Sequence, residues 1–335
     1  FTLVLVFSPL VRGYAKLSMM TMYEPRLPSV YRPVYPGPFR RRGRWRSGCL
    51  WALVGAALAP VALIFLVGVG MLLYLLFPPG SLDLLILGVD ARQGEGFTAR
   101  TDSVMLLGVK PETLQAALLS IPRDLFIETP DYGLQRINTI NVLGDQDRAW
   151  TGPELLKAAV SASFDVGVDR YMRINFDGFI ALIDALGGID VEVPSLMVDY
   201  LYPTEDNGTT TVTFEPGWQH MDGQRALVYA RTRHADDDYR RAERQQQVLT
   251  AILRAMLRPE NWPQWPGALQ AFWSAVDTDM SLFDLVVVAP PLLLDGATGN
   301  MDRLVIDRDL IQRTAGGYAV PNYPAIAPWL EERFD

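Results

Sequence analysis

LDLLILGVDARQGEGFTARTDSVMLLGV, residues 82–109, decides the architecture. LDLLILGV is an apolar run of strand length, stopped near Gly88 and closed by Asp90. A polar loop follows, and TDSVMLLGV (101–109) makes a second strand whose first residues include Asp102. After the KPET turn, LQAALLSIPRD supplies a third strand ending at Arg123 and Asp124. If the three strands alternate in direction, Asp90, Arg100, Asp102, Arg123 and Asp124 gather at one end of one sheet. Loops held at the end of a rigid sheet are where chemistry usually sits. Two carboxylates flanking such a loop can hold one hard divalent cation, because magnesium takes one or two carboxylates and lets substrate phosphates complete its octahedron. The same aspartates could equally be turn residues capping strand ends.

Upstream the chain changes character. Residues 1–50 carry nine Lys/Arg against the single acid Glu24, whereas the whole chain has a net charge of −8. Regions of opposite sign suggest two compartments. Leu50–Phe77 runs for 28 residues without a charge, long enough for a tilted membrane-spanning helix. RRRGRWR (40–46) abuts its N-terminal side, which places residues 1–49 in the cytoplasm and residues 82–335 outside. A bilayer anchor already explains that basic cluster, so no nucleic-acid partner is expected. YEPRLPSVYRPVYPGPFR reads as a Pro-rich disordered tail. The chain starts with Phe, and a mis-called start is expected, with Met20 or Met22 the natural beginning. Cys49 is the one cysteine, which excludes an intrachain disulfide framework and a Cys-rich zinc site.

Downstream, LQRINTINVLGD (134–145) sets Arg136 beside Asn138. FDGFIALIDALGGIDVEVP (176–194) reads as a core helix stopped by Gly187-Gly188, then a buried strand. VYARTRH (228–234) reads as a short alternating strand that delivers Arg231 and Arg233 to one face. Asp236–Asp238 then cap a helix running from about Tyr239 to Leu257. A run of arginines and aspartates is ordinarily a solvated, salt-bridged surface. Here Arg241, Arg244 and Gln245 share a helix face that continues as Val248, Leu249, Ile252 and Met256. The arginines therefore face inward, at the mouth of an apolar interior. Cations near a helix N-terminus oppose the macrodipole by about 0.3–1 kcal/mol each, and a bound anion reverses that penalty. The cluster has the character of a phosphate site.

From LDLLILGVDAR onward the chain resembles the LytR–CpsA–Psr family of cell-wall phosphotransferases. GVDAR…RTDS, SIPRD, QRINTIN, IDALGGIDVEV and YARTRHADDDYRRAERQQQVL appear in the family's order over roughly residues 82–257. YAVPNYPAIAPWLEERF near the C-terminus is also family-like but carries less information. The resemblance implies an α/β (α+β) fold: a mixed central sheet flanked by helices, with an apolar lipid cavity, following one transmembrane helix. It implies transfer of a glycopolymer from a polyprenyl-pyrophosphate carrier to peptidoglycan, forming a phosphodiester. By that likeness Asp90 and Asp102 hold magnesium, for which manganese could substitute. Arg100, Arg123, Arg231, Arg233, Arg241, Arg244 and Gln245 would surround the pyrophosphate. Arg136 departs from the family's usual lysine and keeps the charge with a different geometry. TIN after it departs from the usual AAY-like sequence.

No nucleophile is needed for such chemistry, which asks for charge neutralisation and alignment. His220 is expected in a GWQHMDG turn and His234 in a structural role. Asp102 or Asp124 would take the acceptor's proton beside Arg123, and the sequence does not choose between them. A polyprenyl-pyrophosphate hydrolase would share every one of these residues. A non-catalytic module that binds anionic glycolipids would be expected to lack the metal-binding aspartates, and both are present.

Overall fold

The computed structural model describes residues 45–91, 96–204, 208–232, 238–296 and 298–334, without side-chain detail at 45–57, 59, 60, 238 and 296. It divides into two compact units, residues 1–65 and 66–335. Helix α1 spans Trp45–Leu76. Most of its described apolar side chains, Leu63, Ile64, Leu72 and Leu76 among them, are exposed, as is Phe77 after it, whereas Tyr74 is buried. Among residues with described side chains, no helix is long and apolar enough to cross a membrane. Most of the first part of the expected 50–77 span lies outside those residues.

The second unit is built on a six-stranded mixed sheet. Its members are β1 (Leu82–Val89), β2 (Thr101–Lys110) and β3 (Gln115–Ile121), joined later in the chain by Arg170–Asn175, Val276–Thr278 and Asp302–Val305. Between them come the hairpin β4 (Phe126–Thr129) and β5 (Gly133–Arg136), then α2 (Ile137–Gln146) and α3 (Gly152–Phe164). Arg170–Asn175 is β6, followed by α4 (Phe176–Ala185), β7 (Ile189–Val193), β8 (Met197–Pro203), β9 (Thr209–Phe214) and β10 (Gly217–Met221). Helices α5 (Gly223–Arg231), α6 (Asp238–Leu257) and α7 (Trp265–Ala275) lead to β11 (Val276–Thr278). The chain closes with α8 (Leu282–Pro291), β12 (Asp302–Val305), β13 (Ile311–Arg313), β14 (Ala319–Pro321) and α9 (Tyr323–Arg333).

β1, β2 and β3 are successively antiparallel, while β6 runs parallel to β1 and β12 parallel to β3. The C-terminal ends of β1, β3, β6 and β12 and the N-terminal end of β2 therefore share one edge of the sheet. Both faces of the sheet are covered. Leu85, Leu87, Leu106 and Leu119 pack under α2, α3 and α9 through Ile140, Leu156 and Leu330. Leu84, Ile86, Leu107 and Leu118 pack on the other face with Val287 and Val288 of α8. That two-sided burial explains why β1 reads as an unbroken apolar run rather than an alternating one.

A third cluster joins α4, β7, β10, α5 and α6 through Ile183, Val191, Met221, Tyr229 and Val248. Gly187 and Gly188 adopt φ values of +81° and +92°, so the expected glycine stop ends α4 in a backbone region that other residues rarely enter. Helix α6 departs from the one-sided pattern expected for it. Val248 and Ile252 enter the third cluster, Leu249 packs toward the sheet, and Gln246 Nε2 donates to Ser120 Oγ at 2.8 Å. Val248 and Ile252 belong to the same apolar cluster as Phe214 and Tyr229.

Two local expectations are corrected. Residues 228–231 of VYARTRH are not a strand but the last turn of α5. The helix starts upstream, where the Asp222 carboxylate accepts from Arg225 N, and Ala226, Leu227, Tyr229 and Ala230 are buried at helical spacing. Seven residues of alternation were too short to reveal that. His220 lies on β10 rather than in a turn, pairing with Asp190 of β7, whose carboxylate its Nδ1 meets at 2.8 Å.

One buried cation went unnoticed in the sequence. Arg173 of β6 contacts Asp145 at 2.9 Å, Asp277 at 2.6 Å and Asn141 Oδ1 at 3.0 Å. Asn141 in turn donates to the carbonyls of Phe97 and Ala99 at 3.0 and 2.8 Å. Arg173 thereby ties α2, β6 and β11 to the loop that precedes Arg100. Arg173→Met will leave the largely buried Asp145 and the partly buried Asp277 carboxylates uncompensated and should destabilise the fold by about 3 kcal/mol. Urea denaturation of wild type and variant will measure it.

Candidate functional site

The site is built where β1 hands over to β2. Gly88 pairs with Ser103 and Val89 with Thr101, so Asp102 is the extra residue of a bulge. Bulges unpair one residue and re-aim its side chain. Asp90 N donates to Arg100 O at 3.0 Å, which closes the hairpin and sets Asp90 and Asp102 at the same sheet edge. Asp102 Oδ1 accepts from Arg123 Nη1 at 2.5 Å. Arg123 follows β3, and its Nε is buried without a hydrogen-bond partner, 3.7 Å from Asp124 Oδ2. Thr101 Oγ1 and Asn138 Oδ1 are likewise buried and unpartnered. Unmet polar atoms are rare in folded interiors, and at this sheet edge they mark a place where a polar ligand would be satisfied.

A cavity of about 80 Å³ opens beside Asp102, lined by Asp199, Tyr202, Arg231, Arg241 and Gln245. Arg231 leaves the end of α5, approaches Asp90 Oδ1 at 3.8 Å and stacks 4.1 Å from the Phe176 ring centroid. Arg241 is buried on the first turns of α6, with Gln245 one turn on. Burial pushes the Tyr202 phenol up from its ordinary pKa, against the pull of the nearby Arg231 guanidinium. Tyr202 is therefore a neutral donor at physiological pH. Three arginines and three carboxylates surround or border this small space, an arrangement suited to a multiply charged anion with or without a cation.

Asp199 and Tyr202 were not singled out in the sequence. Three residues apart on a regular strand, they would point to opposite faces. Asp199 pairs with Val212 but Tyr202 with Thr210, so β8 carries one extra residue between them. That irregularity puts both side chains in one cavity. LMVDYLYP gives no sign of it.

The remaining expected residues are spread more widely. Arg244 is buried, and its Nε and Nη2 donate to the carbonyls of Tyr229 and Thr232 at 3.1 and 2.5 Å. Those bonds close the C-terminal end of α5 and fix Arg231 through it. Arg136 pairs with Asp124 at 3.2 Å and stacks over Phe126, outside the cavity lining. Arg100 is exposed and joins the site through its backbone. Arg233, His234 and the expected capping residues Asp236 and Asp237 lie outside the described residues.

Comparison with known proteins places the chain in a family. The chain is 31% identical over 219 residues to the polyisoprenyl-teichoic acid–peptidoglycan teichoic acid transferase TagT of Bacillus subtilis, covering 64% of this chain and 65% of that protein. It thus spans just under two thirds of that relative's length. The TagU transferase of Oceanobacillus iheyensis is 30% identical over 229 residues, 68% of this chain and 67% of that one. The solved structure of TagT bound to LIIa-WTA has the same fold, with a TM-score of 0.57 at 24% identity over 76% of this chain and 91% of that chain. Residues 78–321 match the LytR_cpsA_psr family, and the chain belongs to that family.

Proposed function

We propose that this protein transfers a glycopolymer from a polyprenyl-pyrophosphate carrier to peptidoglycan, forming a phosphodiester, at the outer face of a membrane that its N-terminal helix crosses. The observation that carries the reading is the cavity in which Arg231, Arg241, Gln245 and Tyr202 converge beside Asp102. Their donors suit the oxygens of a pyrophosphate, and arginine is suited to bidentate phosphate contacts. Stabilising charge on the departing lipid phosphate is the largest contribution such a site can make. The relatives' activity, teichoic acid transfer to peptidoglycan, points the same way.

The residues present fit a magnesium ion. Asp90 and Asp102 lie at the same hairpin end, and Thr101 Oγ1, next to Asp102 in the chain, is buried without a hydrogen-bond partner. Among the described residues no group of three or more His, Cys, Asp or Glu could hold a metal. Two carboxylates with phosphate oxygens is a usual magnesium arrangement, and manganese would fit the same donors. When bound, the ion would add positive charge beside the phosphates. The chain's own groups bind and orient: Arg231 and Arg241 grip the pyrophosphate, and Asp102 fixes Arg123 next to it. Entry of the polyprenyl tail would separate the Val248–Ile252 face of α6 from Phe214 and Tyr229.

The anchor reading rests on the uncharged 50–77 stretch and the basic RRRGRWR before it. Protease added to intact protoplasts should digest the domain from residue 82 onward. Complete protection would overturn the orientation.

Arg241→Ala should weaken polyprenyl-pyrophosphate binding about tenfold or more, since hydrogen bonds to charged groups contribute roughly 1.5–3 kcal/mol. Thermal melts of wild type and variant with and without the lipid will read this as a smaller ligand-induced shift. Equal shifts would return the arginines to a structural role.

Chelation should abolish release of polyprenyl phosphate, and added magnesium should restore it. Asp90→Ala should raise the magnesium concentration needed for half-maximal turnover. Turnover that persists in chelator would remove the metal from the mechanism.

A further inference from the structure

Helix α8 carries an outward face that the pyrophosphate site does not use. Leu282, Phe283 and Val286, spaced to lie together on one side of the helix, are between 57% and 73% exposed, and Leu294 just beyond is also exposed. The opposite side is core: Val287 and Val288 pack with Leu84, Ile86, Leu107 and Leu118 of the sheet. From Ser281 to Gly296 the chain has two charged residues, and the domain takes up both. Asp284 caps the helix with Ser281 and pairs with Arg170 at 3.0 Å, and Asp295 Oδ2 accepts from Ala116 N at 3.1 Å. Scattered exposed apolar residues are ordinary, but a charge-free cluster of bulky ones marks a surface that something covers.

One contact points to the covering material. The Tyr74 hydroxyl donates to the Val287 carbonyl at 2.8 Å, joining the last turn of α1 to the middle of α8. Around Tyr74, Leu72, Leu73, Leu75 and Leu76 are exposed, as is Phe77. No charged residue intervenes between Arg46 and Asp83, so a spanning α1 would reach the outer bilayer surface in this last turn and the PPGS link after it. Tyrosine favours that depth, where its ring meets acyl chains and its hydroxyl a polar partner. A helix bonded to this tyrosine lies at the same height, within reach of lipid.

We propose that α8 is an interfacial helix, with Leu282, Phe283 and Val286 seated in the outer leaflet of the bilayer that α1 crosses. The proposal rests on the anchor reading of residues 50–77. Helices of this kind sink their apolar face about 5–10 Å, to the boundary between headgroups and acyl chains. A free amphipathic helix has a polar second face, whereas that of α8 is the sheet core, so its insertion holds the whole domain. The end of α1 and α8 are then two attachments that fix the sheet's orientation to the membrane, which the PPGS link alone would not do. The cavity beside Asp102, at the other end of β1, is thereby kept at a constant distance from the lipid surface. Because α8 presents no outward charge, its docking requires no anionic lipid.

Full-length protein in phosphatidylcholine nanodiscs tests this, with Cys49→Ser removing the native thiol. Nitroxide labels are carried singly by Val67→Cys in α1, Val286→Cys in α8 and Glu331→Cys in α9, which covers the other face of the sheet. Collisions of each label with oxygen, which concentrates in the bilayer, and with a water-soluble nickel chelate report its depth. The oxygen-to-nickel ratio at Val286→Cys should exceed that at Glu331→Cys several-fold and approach that at Val67→Cys. Adding Leu282→Asp and Phe283→Asp should lower it to the Glu331→Cys level; both side chains are exposed, so the fold should hold, which a melt will verify. Equal ratios at Val286→Cys and Glu331→Cys, with a high ratio at Val67→Cys, would overturn the docking and leave the anchor standing. An aqueous label at Val67→Cys would remove the anchor, and the docking with it. Shielding of Val286→Cys from both reagents would mean that protein covers the face, and spin–spin broadening would identify a second copy; either overturns the proposal.

Discussion

The antiparallel ladder between β1 and β2, with its bulge at Asp102, is the constraint on which the site depends. Burial on both faces of the sheet holds the register from Leu82 to Gly88. A one-residue slip would exchange the side chains packed on the two faces, so the packing under α2, α3 and α9 on one side and against α8 on the other fixes the register. Only at its open end does the register break, and there Asp102 turns toward Arg123 instead of joining the ladder. Every other part of the site is measured from that point: Arg231 approaches through Asp90, and the small cavity adjoins Asp102.

Arginines in this protein divide by what their donors meet. Arg173 is enclosed by two carboxylates and an amide, and Arg244 bonds the terminal carbonyls of α5. Both are scaffold: one fixes the loop before Arg100, the other the helix that ends in Arg231. Arg231 and Arg241 instead line open space. A buried cation is unfavourable without acceptors, so Arg173 and Arg244 depend on the fixed ones they meet, while a ligand anion in the small cavity would add to the interactions of Arg231 and Arg241. Sequence spacing had grouped Arg244 with Arg241 because both lie on one stretch of α6. The chain's fold separates them by giving Arg244 the end of α5 to bond.

Much of the fold was legible. Three apolar runs separated by short polar loops specified three strands, and their alternation put Asp90, Asp102, Arg123 and Asp124 at one edge. The glycine pair at 187–188 ended a helix, and the periodic apolar residues after Tyr239 made α6. Failures came where tertiary contact overrode a short local pattern. VYARTRH alternates, yet its first residues finish a helix nucleated at Asp222. GWQHMDG has turn-like composition, yet β7 recruits residues 217–221 as a strand.

The sequence by itself determined the apolar periods, the charge asymmetry between the ends of the chain and the set of motifs that mark the family. Those are local properties, fixed by residue type and spacing. Tertiary structure decided which charges face one another. Asp199 and Tyr202 share a cavity only because β8 gains one residue against β9, and Arg308 reaches Tyr239 only because β12 pairs with β3 in parallel. Bulges and long-range strand pairing arise from the competition among many distant contacts, so no short window of the sequence contains them.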